Sequence, residues 1–301
     1  MDLSVSVAGI QLEHPVMNGA GSCKTLEDVR MLSRLPVSAI MVGSVTWEER
    51  VGNSGDVFWT SSPYTLNSLG LPNLGYIHYT EVLPEMVKIA HDSGKPLFVS
   101  VAGFSESEYA NLAGEMFASG ADLVELNLGC PNAVTFDGKQ HRIASFDPDQ
   151  VNRILQEVHY YVGPEAKVTV KLSPYTDPTM IPVVAQTISS WQVVKAVTTM
   201  NTFPNATYLE EGRHVTSPVN GLAGLAGPAI RPIGLGQVQQ FRELLSKDII
   251  GVGGVDSGQA VRDYQEVGAT AVQVTSAYLS RGGDIFRQIL EELVTREAVS
   301  A

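Results

Sequence analysis

The sequence has little cysteine, no excess of positive charge and no long apolar run. Its two cysteines, Cys23 and Cys130, lie far apart in the chain, so they form neither a disulfide framework nor the spacing of a metal site. We therefore expect a reduced, cytoplasmic protein without a bound metal. With 20 Lys and Arg against 32 Asp and Glu, the net charge is -12, which argues against nucleic-acid binding. No basic leader is present and no segment approaches the roughly 18 apolar residues of a membrane span, so no membrane association is expected.

The remaining composition, 44% hydrophobic and 17% charged, is that of an ordinary globular protein. Short runs rich in Val and Ile alternate with segments that repeat apolar residues at helical spacing. The predicted strands are 14–20, 38–45, 96–103, 123–129, 167–174, 194–202, 248–255 and 271–278. Eight such alternations predict a (β/α)₈ barrel that forms one domain over residues 1–301, with a doubly wound open sheet as the alternative.

Helix starts and two long connections complete the predicted barrel. Ser105 with Glu108 predicts a capping box, and Asp177 before Pro178 predicts another N-cap. Two connections, 46–75 and 203–233, are too long for simple turns. Both follow a strand, so we expect functional loops without regular structure at the C-terminal face of the barrel.

Polar residues recur where the predicted strands end. They are Asn18, Asn67, Asn73, Asn127, Cys130, Asn132, Lys171, Asn201, Thr202, Gly253, Gly254, Thr275 and Ser276. An asparagine amide both donates and accepts hydrogen bonds, so several of them together can read a ring that alternates carbonyl and N–H groups. A single asparagine would more often be a turn residue.

The last two strand ends predict a phosphate site. Gly253 and Gly254 allow backbone N–H groups to approach an anion, and Thr275 and Ser276 add hydroxyl donors. Barrels often bind phosphate on the loops after strands 7 and 8. The alternative is that the glycines only turn the chain and the hydroxyls only cap a helix.

Lys171 and Cys130 are the chemically active side chains of the set. Lys171 lies in an apolar strand, where a lysine is rarely buried without a partner. It is interpreted as a cation beside an electron-rich cofactor, as the Schiff-base lysine of a lyase, or as a lysine reaching solvent at the strand end. Cys130 is interpreted as an inert thiol, as a nucleophile that would need a histidine nearby, or as a base facing the ligand.

With these residues assembled, the chain resembles the class 1 dihydroorotate dehydrogenases over nearly its whole length. The motifs that carry the resemblance are, in order, NGAG, NSLGLPNLG, ELNLGCPN, VKLSPY, MNT, GLAGLAGPAIRP, GVGGVDSGQ and VTSAYL. The resemblance implies an FMN-containing barrel that oxidises dihydroorotate to orotate in de novo pyrimidine synthesis. It implies that Cys130 removes the C5 proton while the C6 hydrogen leaves as hydride to flavin N5.

The resemblance also implies roles for the other residues. Substrate would contact Asn67, Leu69, Gly70, Leu71, Asn127, Asn132, Asn201 and Thr202. FMN would contact Ala20, Gly21, Asn127, Lys171, Gly227, Gly253, Gly254, Thr275 and Ser276. In this scheme Lys171 lies near flavin N1 and O2, and the last four residues bind the FMN phosphate.

One position departs from the family pattern. The family usually has a lysine in strand 2 that meets flavin and substrate, and this chain has Gly43 there. Lys24, in the loop after strand 1, is a candidate replacement. Gly43 also supports an alternative function, in which a related flavin oxidoreductase acts on another dihydropyrimidine or cyclic amide.

The electron acceptor is left open by mixed motifs. LGLPNLG resembles the homodimeric branch that uses fumarate. TMNT and GLAGLAGPAIRP resemble enzymes that pair with an electron-transfer subunit carrying FAD and an iron–sulfur cluster, or the dihydropyrimidine dehydrogenases. The loop 133–147 differs from the short loop usual in class 1. The resemblance implies a homodimer and leaves both kinds of acceptor open.

Overall fold

The structure, a computed structural model, describes residues 2–134 and 139–297. Its strands are β1 (Val5–Val7), β2 (Ile10–Leu12), β3 (Val16–Asn18), β4 (Ile40–Val45), β5 (Phe58–Ser61), β6 (Tyr64–Asn67), β7 (Leu97–Val101), β8 (Leu123–Asn127), β9 (Val168–Leu172), β10 (Val194–Thr199), β11 (Phe203–Ala206), β12 (Leu209–Glu210), β13 (Arg213–His214), β14 (Ala223–Ala226), β15 (Asp248–Val252) and β16 (Ala271–Val274). Its helices are α1 (Leu26–Ser33), α2 (Gly75–Asp92), α3 (Glu106–Ala118), α4 (Pro148–Val162), α5 (Met180–Ser189), α6 (Pro218–Gly221), α7 (Arg231–Leu244), α8 (Gly258–Glu266), α9 (Ser276–Arg281) and α10 (Asp284–Glu297).

Eight parallel strands form the predicted barrel, in the order β3-β16-β15-β10-β9-β8-β7-β4. The first and last strands of this order are joined by the Asn18 side chain, whose Nδ2 donates to the Met41 carbonyl and whose Oδ1 accepts from the Met41 N–H, each at 2.9 Å. The Ser38 N–H also donates to the Val16 carbonyl, at 3.0 Å. The barrel prediction is confirmed, and the open-sheet alternative is wrong.

Side chains alternate between the two faces of the barrel wall, as the period of two requires. On β8, Val124 and Leu126 pack against the helices outside. Leu123 packs inside with Met41 and Phe98, among other apolar side chains. Glu125 and Asn127 follow Leu123 on the same face of β8, so the interior changes from apolar to polar toward the carboxyl end of this strand.

The two long connections are not without regular structure, which corrects the prediction. They contribute β5, β6, β11 and β14 to an antiparallel sheet in the order β11-β14-β6-β5. The residues that pair include Trp59 with Leu66 and Thr60 with Thr65, types that favour strands. The position of these segments at the C-terminal face is as predicted.

Helix caps follow local sequence in one predicted case and not in the other. The Ser105 side chain accepts a hydrogen bond from the Glu108 N–H at 3.2 Å, which confirms Ser105 as the N-cap of α3, but the Glu108 carboxylate accepts from the Phe104 N–H, so the full capping box is not formed. The prediction of Asp177 as an N-cap is wrong, because α5 begins at Met180. Asp177 instead accepts hydrogen bonds from the backbone and hydroxyl of Thr179, which form a turn before the helix.

Candidate active site

A cavity of about 480 Å³ lies at the carboxyl ends of the barrel strands. Every residue predicted to bind substrate or cofactor lines it: Ala20, Gly21, Asn67, Leu69, Gly70, Leu71, Asn127, Cys130, Asn132, Lys171, Asn201, Thr202, Gly227, Gly253, Gly254, Thr275 and Ser276. The antiparallel sheet supplies one side of the cavity, including Phe58 and Thr65. Its size suits a cofactor with a small substrate, since ligand pockets usually measure about 300–1,000 Å³.

The asparagines are held in place by one another. Asn127 Oδ1 accepts from Asn201 Nδ2 at 2.9 Å, and Asn127 Nδ2 donates to the Ser44 hydroxyl at 2.9 Å. Asn132 Nδ2 donates to the Asn67 carbonyl at 2.8 Å. These bonds fix the amide orientations before any ligand binds, which favours recognition because little ordering is left to occur.

Lys171 lies inside the barrel in a buried polar chain. Its Nζ donates to Gln273 Oε1 at 2.9 Å and lies 3.6 Å from Glu125 Oε1, while Gln273 Nε2 donates to Glu125 Oε2 at 3.1 Å. Glu125 is fully buried, and its Oε1 has no hydrogen-bond partner among the described residues. The pairing explains how a lysine is accommodated in an apolar strand.

Replacing Glu125 by glutamine is expected to lower the free energy of unfolding by about 3 kcal/mol, since the Lys171 charge would stay buried without its counter-ion. Chemical denaturation measures this. Glu85→Gln is the control, because Glu85 pairs with Arg30 on the exposed surface and should contribute under about 1 kcal/mol. Equal effects of the two variants would contradict this account of the buried pair.

Cys130 lies in the loop after β8, partly exposed to the cavity. Burial raises the pKa of its thiol, whereas the N–H groups of Asn132 and Ala133 and the charges of Arg50 and Lys24 lower it. His141 lines a small cleft with Cys130, although its sequence position did not indicate this. Among the described residues no hydrogen bond joins the two side chains, so the structure favours a base or an inert thiol over a histidine-activated nucleophile.

The predicted phosphate end consists of backbone and hydroxyl groups. Gly227, Gly253 and Gly254 have φ of 86°, 127° and 68°, values that suit glycine. A Cβ on Gly254 would lie 2.8 Å from the Gly227 carbonyl oxygen, so only glycine lets these two segments approach. Arg231, which is nearby, is already paired with Asp256. A phosphate here would be bound mainly by neutral donors.

Gly43 has no room for a side chain. Its φ is 116°, and a Cβ would lie 2.3 Å from the carbonyl oxygen of Ser100 on the neighbouring strand. In this backbone conformation the strand position has no space for the lysine that the resemblance implies. Lys24, the candidate replacement, does line the cavity.

The Gly43→Ala variant is expected to lose about 3 kcal/mol or more of unfolding free energy, because the backbone must move to admit the Cβ. Gly236→Ala is a suitable control, since nothing lies within 4 Å of the added Cβ on that helical residue. It should be neutral or up to about 1 kcal/mol stabilising. Thermal unfolding of both variants measures the difference, and a neutral Gly43→Ala would refute the packing argument.

Two predicted polar residues lie elsewhere, and four residues that line or support the cavity were missed. The Asn18 side chain closes the barrel. The side-chain oxygen of Asn73, Oδ1, accepts a hydrogen bond from the Gly75 N–H at the start of α2. The missed residues are Ser44 and Gln273, which line the cavity, and Arg50 and Glu125, which contact the cavity residues Gly70 and Lys171. Glu125 and Gln273 could have been found, because they share the inward face of their strands with the cavity residues.

A parallel barrel with paired amides, a thiol and a buried lysine around one cavity has the construction of an enzyme. The family model described as dihydroorotate dehydrogenase matches residues 2–296. The chain belongs to the dihydroorotate dehydrogenase family, whose members are oxidoreductases acting on CH–CH bonds. Membership confirms the predicted family and excludes the lyase interpretation of Lys171.

Curated relatives come from both class 1 branches, in agreement with the predicted class. The chain is 32% identical over 300 residues to the catalytic subunit of dihydroorotate dehydrogenase B (NAD(+)) of Thermoplasma acidophilum, covering 98% of this chain and 93% of the relative. It is 30% identical over 298 residues to dihydroorotate dehydrogenase A (fumarate) of Lactococcus lactis subsp. cremoris, covering 97% and 93%.

The fold is also that of a solved structure. The crystal structure of DHODH from Eimeria tenella in complex with ferulenol matches with a TM-score of 0.83 at 19% identity, covering 99% of this chain and 85% of that one. The described part of this chain contains no helix that is long and apolar enough to cross a membrane.

Proposed function

We propose that the protein is an FMN-dependent dehydrogenase that oxidises dihydroorotate to orotate in pyrimidine synthesis, as one barrel domain over residues 1–301. The observation that carries the proposal is the cavity itself, where Cys130, the linked asparagines and Lys171 converge. The family uses a flavin, and FMN is the form that we propose. The cavity's mixture of amides and one buried cation suits a ring with carbonyl, N–H and developing negative charge.

The residues present fit FMN. A Cβ on Gly254 would lie 2.8 Å from the Gly227 carbonyl oxygen, so the glycines leave one end of the cavity lined by backbone, where a phosphate could be held. Lys171 would lie beside the flavin ring. Gly227, Gly253, Gly254, Thr275 and Ser276 would hold the phosphate, and Ala20, Gly21 and Asn127 would contact the rest of the cofactor.

Different residues of the site would remove the proton, hold the ring and stabilise charge during the oxidation. Cys130 Sγ would take the proton from C5 of the substrate, a carbon that is α to a carbonyl. Asn67, Asn127, Asn132, Asn201 and Thr202, with the backbone of Leu69, Gly70 and Leu71, would hold the pyrimidine ring. FMN supplies, when bound, the acceptor for the hydride that leaves C6. Lys171 would stabilise negative charge beside it.

Two measurements on the purified protein test the proposal. Mass spectrometry of the cofactor released by denaturation should identify FMN, and incubation with L-dihydroorotate and an artificial acceptor should yield orotate. A protein that binds no flavin, or that binds FMN but forms no orotate, would contradict it.

Gly43 supports a second candidate, oxidation of a dihydropyrimidine that has no carboxylate. Without the usual lysine, the cavity has one cation fewer for a carboxylate group. Comparing kcat/KM for L-dihydroorotate and dihydrouracil decides between the two. A preference for dihydrouracil would favour the second candidate.

We further propose a cytoplasmic homodimer. The location rests on Cys23 and Cys130, both free thiols.

The similarity to fumarate-using and NAD-using relatives is nearly equal, so we propose an acceptor of one of these two kinds. NAD⁺ would be reached through an electron-transfer subunit with FAD and an iron–sulfur cluster. Light scattering and turnover with fumarate or NAD⁺ alone test these points. Residues 135–138 of the unusual loop 133–147 lie outside the described residues.

A further inference from the structure

Lys24 is fixed at the cavity wall beside Gly43. The Gly43 N–H donates to the Cys23 carbonyl at 3.0 Å, and the Gly21 N–H donates to the Gly43 carbonyl at 2.7 Å. The loop that carries Lys24 is therefore bound directly to the backbone of the strand position that lacks a side chain. The Tyr79 hydroxyl donates to the Lys24 carbonyl at 3.0 Å and secures the loop from α2.

The Lys24 ammonium points toward the segment that is proposed to hold substrate. Its Nζ donates to the Pro72 carbonyl at 2.8 Å, next to Leu71. Lys24, the Leu69–Pro72 segment and Cys130 all line the same cavity. The charge of Lys24 also acts on Cys130, where it lowers the pKa of the thiol.

The ammonium has capacity for another partner. Burial lowers the pKa of Lys24, so holding its charge there costs free energy. Within the part of the chain that the structure describes, Nζ makes no ion pair and its hydrogen bond goes to a carbonyl. An ammonium has three donors, so an anionic ligand could compensate the burial.

Arg50, the neighbouring cation, has a different set of contacts. Its Nε donates to the Gly70 carbonyl at 3.2 Å and its Nη2 to the Val134 carbonyl at 2.5 Å. The guanidinium also stacks 4.8 Å from the centre of the Phe104 ring. These contacts join the loops that carry Gly70 and Val134, which is a structural task.

We propose that Lys24 binds the carboxylate of the substrate and thereby selects dihydroorotate over dihydropyrimidines that lack this group. The proposal rests on the proposed function and gives this chain a cation from a different element than the one usual in the family. Hydrogen bonds hold the Lys24 loop against Gly43. The ammonium therefore reaches the cavity from this loop and not from the strand that contains Gly43.

Isothermal titration calorimetry of the purified protein with orotate and with uracil tests this without turnover. Lys24→Met is expected to weaken orotate binding about tenfold or more, the usual loss for a charged hydrogen bond. Uracil, which has no carboxylate, should bind as it does to the wild type, and the unfolding temperature should not change. Lys24→Arg should retain part of the orotate affinity. Lys88→Met is the control, since it removes the same charge from an exposed site on α2.

The outcomes separate the two proposals. If Lys24→Met leaves orotate affinity unchanged, or weakens orotate and uracil equally, the role of Lys24 is refuted while the proposed function stands. If the wild type binds no orotate, the proposed function fails and the role of Lys24 fails with it. Selective loss of orotate affinity, with Lys88→Met unchanged, supports the proposal.

Discussion

Replacing Cys130 by alanine is expected to slow reduction of the bound flavin by dihydroorotate by about 10²–10⁴-fold, the usual contribution of a general base. Orotate affinity should stay near that of the wild type, because the ring is held by the asparagines. Stopped-flow absorbance under anaerobic conditions measures the rate. Cys23→Ala is the control, since Cys23 is buried outside the cavity lining. Reduction of Cys130→Ala at the wild-type rate would show that another group takes the proton.

The same thiol determines the expected pH dependence. Only the thiolate accepts a proton, and burial raises the pKa of Cys130 despite the nearby charges of Arg50 and Lys24. The reduction rate of the wild type should therefore rise as the pH increases through the raised thiol pKa and then level off. A rate that falls over this range would contradict the assignment of Cys130 as the base.

The second large effect is expected at Lys171. Lys171→Met removes the cation that lies in the cavity beside the proposed flavin, and the reduction rate should fall about 10²-fold or more. The reduction potential of the flavin should also fall, because the negative charge of the reduced ring loses its counter-charge. Stopped-flow kinetics and a spectroelectrochemical titration measure the two quantities.

A double variant separates chemistry from folding at this position. Lys171→Met alone leaves Glu125 buried as an uncompensated charge, whereas Lys171→Met with Glu125→Gln removes both members of the pair. The double variant should recover stability but not the reduction rate or the potential. Recovery of wild-type kinetics would show that Lys171 is only structural.

The sequence was sufficient for the barrel because its strands are short, predominantly apolar runs. Strands buried on both faces have this composition, as β4 and β7 show. Cavity residues at the carboxyl ends, such as Asn127 and Lys171, could be found for the same reason, since parallel strands bring those ends together.

The roles that could not be predicted from the sequence depend on contacts between residues that are distant in the chain. Asn18 and Asn127 are both strand-end asparagines, and only their partners show that the first closes the barrel while the second faces the cavity. Glu125 and Lys171 lie on neighbouring strands, but their partner Gln273 is 148 and 102 residues away from them in sequence. The close approach of the Ser100 carbonyl to Gly43 is likewise visible only in the folded barrel.

The most direct test of the account is an anaerobic visible spectrum of the purified protein before and after L-dihydroorotate is added. The account predicts a yellow protein whose flavin band bleaches, with one orotate formed for each flavin reduced. A yellow protein that L-dihydroorotate leaves oxidised, or a colourless protein that takes up no FMN, would contradict it.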